Sequence, residues 1–394
     1  MELLDINKPS ISEFYNGRSV FVTGGTGFLG KLVVEKLLRS CPGIENIYFL
    51  IRPRHNTHIN DRHLKVVNSP AFDLLREKSP EALQKIILIE GDVSCLELGI
   101  SKTDQEVLFD KVSVIIHAAA SVALNDTLKK AVLTNLRSMR ELLKLAHQMK
   151  NLKWTPRLLK NHENTYVFAK SLAEILITKD GIGLPIAIVR PSIIGACVAE
   201  PKVGWTDSYT VVNTIIAASW TVTRENYTCC DVASVKVYNS VSGDVHPITF
   251  EQFADLSVNI GQKYPSVLSK LGRGSTPRAA KYYKTNKRIF DAANFVATLP
   301  FKFKSEKCEE LLNSMEDSPN EEFYFDLRSM DWKTYHHDFY FGIRKFILKE
   351  HNLDSVRGKK KLTRLRSMKY FLGFLLIVFV ILTVKKLTDL LFKL

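Results

Sequence analysis

The chain has no C-x-x-C pair and no leader-like start. Its six cysteines, Cys41, Cys95, Cys197, Cys229, Cys230 and Cys308, are scattered over 394 residues, and the opening MELLDINKPS is neither basic nor followed by an apolar run. That pattern excludes a disulfide framework and a secretory signal and favours a reducing compartment. A basic helix with interleaved aromatics is also missing. The formal net charge of +14 resembles a nucleic-acid signature until it is mapped: residues 357–394 hold ten Lys and Arg against one Asp, which leaves +5 for everything before them. So small and diffuse an excess argues against a nucleic-acid partner. With 45% apolar residues the chain is not disordered and has room for two domains plus appendages.

What is present starts with SVFVTGGTGFLGKLVVEKLL at 19–38. A β-branched run, a Gly-rich turn and apolar residues at Leu32, Val33, Val34, Leu37 and Leu38 read as strand, turn and helix. Gly24, Gly27 and Gly30 form the G-x-x-G-x-x-G variant of a dinucleotide fingerprint, which serves a tight turn, backbone approach to a pyrophosphate and close packing of helix on strand. Thr26, Phe28 and Leu29 complete the predicted turn. An NAD-specific site places an Asp or Glu about twenty residues further on, at the end of the second strand. Here NIYFLI ends in Arg52-Pro53-Arg54, and no carboxylate follows until Asp61. Arg52 and Arg54 suit the adenosine 2′-phosphate of NADPH, the alternative being a solvated pair at a strand exit.

Two more strand-like runs, KIILIEGDV at 85–93 and VSVIIHAAA at 112–120, are separated by helix-compatible chain. This alternation predicts an α/β fold with a doubly wound parallel Rossmann-type sheet. Asp92, followed by Val93, is expected to reach an adenine amino group. Ala118 to Ala120 are small enough to lie against a flat cofactor, and His117 reads as a core or rim histidine. An amphipathic helix over 128–150 carries Asn135.

VTGGTGFLG, LIRPR, GDV, HAAA, TNLRSMREL, NTYVFAKSLAE and IAIVRPSIIGA follow one another in the order found in extended short-chain dehydrogenase/reductases. With VYNSVSGDVHPITFEQF and DWKTYHHDFYFGIRKFILKE they resemble, more narrowly, the alcohol-forming fatty acyl-CoA reductases over most of residues 15–352. The resemblance implies NADPH as cofactor and a long-chain acyl-CoA as substrate, reduced to a fatty alcohol through a bound aldehyde. It implies that Tyr166 stabilises the developing oxyanion, that Lys170 holds the nicotinamide ribose and lowers the tyrosine pKa, and that Pro191 and Ser192 to Ile194 close over the nicotinamide. It also favours Tyr166-x-x-x-Lys170 over the second such pair, Tyr283 and Lys287, which lies in a basic stretch.

In that family a strand ending in a catalytic Ser or Thr, then a long substrate-side loop, precedes the tyrosine. Here only KWTPRLLKNH, residues 153–162, is available, with Thr155 as its one hydroxyl. The segment is expected to be too short for a strand, a catalytic hydroxyl and a return loop. Residues 204–220 and 268–288 are also short against the family pattern. A catalytically impaired, NADP-binding isoform is therefore the alternative reading.

Downstream, KVYNSV reads as a strand, and Thr249 to Gln252 as a capping box opening a helix. The expected boundaries are a reductase domain over 15–265, a helical module over 290–352 and a basic flank with a membrane anchor over 357–394. The aromatic stripe from Trp332 to Phe346 reads as a packing face, and His336-His337 has no further ligand to make a metal site. Tyr370–Val384 is an uninterrupted apolar run of 15 residues, short of the about 20 that span a bilayer. Snorkelling of Lys385 and Lys386 extends it to Phe392. The cationic cluster before it predicts contact with membrane lipid and a cytosolic catalytic domain, on the endoplasmic reticulum or peroxisome.

Overall fold

In the computed structural model the first described element is a short helix, α1 (Ile11–Tyr15), closed by a reciprocal capping box between Ser10 and Glu13. Strand β1 (Ser19–Thr23) follows, buried along its whole length. Its alternation sends Val20 and Val22 into one apolar layer and Phe21 into another. Helix α2 (Phe28–Ser40) packs Leu32, Val33 and Leu37 into the Val20 layer. The alternation continues through β2 (Ile47–Ile51), α3 (Ile59–Val67), α4 (Asp73–Lys78), β3 (Ile86–Glu90), α5 (Lys102–Lys111) and β4 (Val112–His117). Helices α6 (Leu128–Ala131) and α7 (Ser138–Ala146) are joined by a π-helical stretch, Val132–Arg137. After them come β5 (Thr155–Arg157), α8 (Thr165–Asp180), β6 (Ile186–Pro191), α9 (Ser208–Val222) and β7 (Lys236–Ser240). The last helices are α10 (Phe250–Lys263), α11 (Glu306–Asn313), α12 (Trp332–Gly342) and α13 (Val356–Leu391).

The structure describes residues 9–53, 57–121, 126–151, 155–157, 165–191, 208–222, 235–242, 246–265, 303–315, 321–347, 350 and 356–391. The chain divides into two compact units. The first comprises Met1–Cys197, Gly204–Pro247 and Lys302–Met330, and the second Val198–Val203, Ile248–Phe301 and Asp331–Leu394.

In the first unit the strands pair in the orders β3-β2-β1-β4 and β5-β6-β7, every pair parallel. β5 packs beside β4 without a shared ladder, so the layer reads 3-2-1-4-5-6-7. α2 and α9 cover the face with Val20, while α5, α7 and α8 cover the face with Phe21. Both faces are thus buried, as a parallel sheet requires. The strand order reverses between β1 and β4, the kind of switch point at which open α/β sheets bind ligands beyond the C-terminal strand ends.

β5 corrects one expectation. A strand does form in the segment before Tyr166, but it is only three residues long, paired Thr155 to Ile186, Pro156 to Ala187 and Arg157 to Ile188. With proline at its centre it has two backbone donors for two neighbours. It bonds to β6 alone, which is why the layer separates into two hydrogen-bonded sheets.

Residues 302–330 clamp onto α2 and α9 within this unit. Lys36 Nζ donates to the Glu322 carbonyl (2.6 Å), Ser40 Oγ to the Glu322 carboxylate (2.5 Å) and Asn213 Nδ2 to the Tyr324 carbonyl (2.7 Å). Fully buried Glu35 accepts from Arg39 Nε (2.6 Å) and from the Tyr209 hydroxyl (2.9 Å). Burial pushes the Lys36 ammonium down to about 8.

In the second unit α10 carries the predicted capping box, Thr249 and Gln252 each accepting from the other's backbone N–H. The stripe on α12 is a packing face: the His336 ring lies 3.9 Å from Phe253, and the Tyr340 hydroxyl donates to the Tyr264 carbonyl (2.6 Å). Arg344 and Glu350 form a buried ion pair at 2.5 Å. Helix α13 contains a stretch, Gly358–Val384, long and apolar enough to cross a membrane. Tyr370, Phe371, Phe374, Phe379 and Leu382 on it are each at least 60% exposed.

Candidate active site

The glycine turn occupies the joint between β1 and α2, at the reversal point of the sheet. Gly24 has φ +74°, and a Cβ there would lie 2.5 Å from the Ala118 carbonyl carbon. A Cβ on Gly30 would lie 2.7 Å from Gly25 Cα. These two positions need glycine, one for its backbone angle and both for lack of space. Gly27 caps α2 without a side-chain acceptor, and the first turn of the helix holds no acidic residue. The leading N–H groups of this 13-residue helix therefore have no side-chain cap and no carboxylate beside them, an arrangement that fits the pyrophosphate of a dinucleotide. Thr26 and Leu29 are half-buried beside the turn, and the Phe28 ring is exposed.

At the neighbouring strand ends, Arg52 follows β2 and Asp92 follows β3. Arg52 Nε stands 3.8 Å from Asp92 Oδ2. Asp92 Oδ1 accepts from the Ser94 N–H (2.9 Å) and from Ser94 Oγ (2.7 Å). Arg62 of α3 donates through Nη1 to the Arg52 carbonyl. Val93 packs on the Phe21 layer. Arg54 lies outside the described residues.

At the end of β4, Ala118 N–H donates to the Thr23 carbonyl (3.0 Å), bringing the Ala118 backbone against the glycine turn. His117 is buried, with its Nδ1 2.7 Å from Thr23 Oγ1. Asn135 sits in the π-helical stretch, buried, and grips one residue of the loop after β4: its Oδ1 accepts from the Ser121 N–H (2.9 Å) and its Nδ2 donates to the Ser121 carbonyl (3.3 Å). An inserted residue in a helix here frees its geometry for that double contact.

Helix α8 carries Tyr166 and Lys170, four residues apart and so on one helical face. It packs against the Asn135 stretch. Lys170 is only 4% exposed; the Tyr166 side chain, like that of Thr155, lies outside the description. Arg190 near the end of β6 donates to Glu174 of α8 through Nε (3.2 Å) and Nη2 (2.6 Å). This bidentate pair fixes the Lys170 helix against the strand that ends at Pro191. The pair Tyr283 and Lys287, and Ser192 to Ile194, are outside the described residues.

The fold thus brings Gly24 to Gly30 at the β1–α2 joint, Arg52 after β2, Asp92 and Val93 after β3 and Ala118 after β4 to the C-terminal ends of neighbouring strands, with Asn135 in the π-helical stretch, Lys170 on α8 and Pro191 at the end of β6. Sequence reasoning missed Arg62, Ser121 and the Arg190–Glu174 pair, whose partners are brought near by the fold, and Ser94, whose bonds to Asp92 are local. A Gly-rich turn at the switch point of a parallel sheet, continued by a Tyr-x-x-x-Lys helix, defines a Rossmann-type reductase that uses a nicotinamide cofactor.

The chain belongs to the male sterility protein family: one model of that description matches residues 22–155 and 152–245, and a second matches 262–350. Mouse fatty acyl-CoA reductase 1 is 28% identical over 483 aligned residues, covering 94% of this chain and 92% of that protein. Cattle fatty acyl-CoA reductase 2 is 26% identical, covering 91% and 90%. The 483 aligned positions exceed the 394 residues of this chain, so the mouse relative carries internal segments with no counterpart here. One break in the family match falls at 152–155, at the start of β5. Among solved structures, the reductase (R) domain of a nonribosomal peptide synthetase from Mycobacterium tuberculosis aligns with a TM-score of 0.60 at 15% identity, covering 87% of this chain and 94% of that one. The terminal R domain from the myxalamid PKS-NRPS biosynthetic pathway aligns with a TM-score of 0.57 at 17% identity, covering 85% and 92%. At these identities the likeness carries the fold alone.

Proposed function

We propose that this chain reduces long-chain fatty acyl-CoA to fatty alcohol with NADPH, through a bound aldehyde, while held at a membrane by α13. The observation that carries the reading is the match to fatty acyl-CoA reductases over 94% of the chain. The glycine turn at the reversal point of the sheet supports it.

NADPH supplies hydride to the thioester carbonyl and, in a second round, to the aldehyde. In this reading the N–H groups at the start of α2 bind the pyrophosphate, and Gly24 and Gly30 keep the turn close enough for them to do so. Arg52, joined by Arg54, receives the 2′-phosphate, because a guanidinium fits a dianionic phosphate and a carboxylate in that place would repel it. Asp92 and Val93 border the adenine, and Ala118 lies along the cofactor. Asn135 holds the loop beyond Ala118, and Pro191 bounds the nicotinamide. Tyr166 donates a proton to the carbonyl oxygen as it gains charge. The buried Lys170 ammonium binds the ribose and lowers the phenol pKa from about 10. Expulsion of CoA as its thiol leaves the aldehyde for the second reduction.

The exposed apolar residues of α13 support membrane insertion. Helix α13 runs to Leu391 through the 15-residue apolar run Tyr370–Val384, about 22 Å of a hydrocarbon core of about 30 Å. Lys359, Lys360, Lys361, Arg364, Arg366 and Lys369 precede the apolar run. Such a flank supports a reductase on the cytosolic side of the membrane, with the endoplasmic reticulum or peroxisome as the candidate organelle.

The three-residue β5 favours a second reading, an NADP-binding form with impaired turnover. Titrating NADPH and NADH into the full chain, following nicotinamide fluorescence and the thermal midpoint together, tests what both readings share. Saturable binding that prefers NADPH and raises the midpoint is expected; no binding to a cooperatively folded chain would remove both.

A further inference from the structure

Arg52 and Asp92 leave the sheet side by side, and neither is free to drift. Ile51 stands in register with Glu90, and Gly91 N–H donates to the Ile51 carbonyl (3.1 Å), so the two strands deliver the next residues to one place. Gly91 allows the turn: a Cβ there would lie 2.6 Å from the Leu98 carbonyl oxygen and 2.9 Å from Leu50 Cδ1. The Asp92 backbone is tied on both sides, its N–H donating to the Leu98 carbonyl (2.7 Å) and its carbonyl accepting from Cys95 N–H (2.9 Å). Its Oδ1 is filled by the two Ser94 bonds at 2.9 and 2.7 Å. Only Oδ2 remains directed at Arg52 Nε, at 3.8 Å. On the other side, Arg62 holds the Arg52 carbonyl while the Arg52 side chain stays 56% exposed.

We infer that Asp92 is a specificity-determining residue that sets how strongly the site prefers NADPH over NADH, by competing with the 2′-phosphate for Arg52. The inference rests on the assignment of Arg52 to that phosphate. An exposed pair near 4 Å is weak, so a phosphate displaces the carboxylate from Arg52 at small cost. That cost still falls on NADPH alone. With NADH the pair stays intact, because a ribose hydroxyl offers Arg52 no charge. Asp92 therefore holds the preference below what Arg52 alone would set. An aspartate whose work is confined to the adenine would touch both cofactors equally.

The test is the ratio of NADPH to NADH dissociation constants in four full-length chains: wild type, Asp92→Asn, Arg52→Ala and the double variant. The asparagine amide oxygen keeps the Ser94 bonds, so the turn is retained, and the thermal midpoint of each chain checks this. Asp92→Asn is expected to raise the preference for NADPH about two- to fivefold, the range of one weak ion pair. In the Arg52→Ala background the same change is expected to leave the ratio where it was. An unchanged ratio in Asp92→Asn, or equal weakening of both cofactors, overturns the inference and leaves the NADPH assignment standing. If Arg52→Ala alone leaves the wild-type preference intact, the assignment of Arg52 fails and the inference falls with it.

Discussion

Thr23 and His117 face each other across the reversal point of the sheet, Oγ1 to Nδ1 at 2.7 Å, in register on neighbouring parallel strands and both buried. Gly24 follows the first residue and Ala118 the second, so this one polar contact joins the two strand ends that flank the proposed cofactor crevice. Replacing His117 by Ala removes this partner from the buried Thr23 hydroxyl. A loss of about 1–3 kcal/mol is expected, read from denaturant unfolding. Thr23→Val combined with His117→Ala should cost less than the two single changes added together.

Gly24→Ala combines a φ of +74° with overlap against the Ala118 and Ala119 backbone. The turn has to open to admit the methyl group, and Ala118 moves with it. NADPH affinity should fall by at least about tenfold, the equivalent of about 1.4 kcal/mol, which is within the usual cost of a non-glycine residue in the left-handed region. Fluorescence titration measures it, and Gly17→Ala is the control: Gly17 also has positive φ, at +65°, but no atom stands within 4 Å of its added Cβ.

Tyr166→Phe should lower turnover about 10²- to 10⁴-fold while leaving NADPH binding near wild type. Lys170→Met should weaken both, because the ammonium serves the ribose as well as the phenol. Tyr283→Phe should change neither. Steady-state kinetics beside cofactor titration separates the three, and equal loss in the two tyrosine variants would remove the assignment of Tyr166.

Burial pushes the Cys41 thiol far above the usual range and the Cys308 thiol up to about 12, whereas Cys95 is exposed. An unfolded cysteine ionises near about 8.5. As pH rises above that value the unfolded chain gives up protons that the folded chain keeps, so stability is full below about pH 8.5 and declines as pH climbs towards the folded values. Cys41→Ala should flatten this alkaline decline, measured by urea midpoints at pH 7.5 to 9.5. Mass-mapped alkylation should label Cys95 in the folded chain and Cys41 only in denaturant.

The parts legible in the sequence are those with local causes. The GGTGFLG turn, the β-branched runs of β1, β2 and β4 and the box from Thr249 to Gln252 depend on neighbours within a few residues. Parallel sheet and helical tail follow from alternation and apolar length. Three features needed the assembled sheet. β5 is a three-residue strand centred on a proline, which no propensity marks; its partner β6 supplies its hydrogen bonds. The contact of Arg52 with Asp92 depends on β2 lying beside β3. Ser121 carries no motif signal, and it matters because Asn135 reaches its backbone while its own hydroxyl donates to Asp126. Tyr370–Val384 understates the tail because the basic cluster before it and the lysines after it extend the helix without adding apolar length.

Turnover by the full chain in lipid nanodiscs, supplied with NADPH and a long-chain acyl-CoA, bears most directly on the central proposal. The expected result is NADPH oxidation that depends on the acyl-CoA and yields free CoA and the matching fatty alcohol. If the three-residue β5 deprives the site of one oxyanion donor, the rate should lie about 10²- to 10³-fold below that of a relative that has one. Saturable NADPH binding with neither CoA nor alcohol released would contradict the proposal and leave a cofactor-binding form.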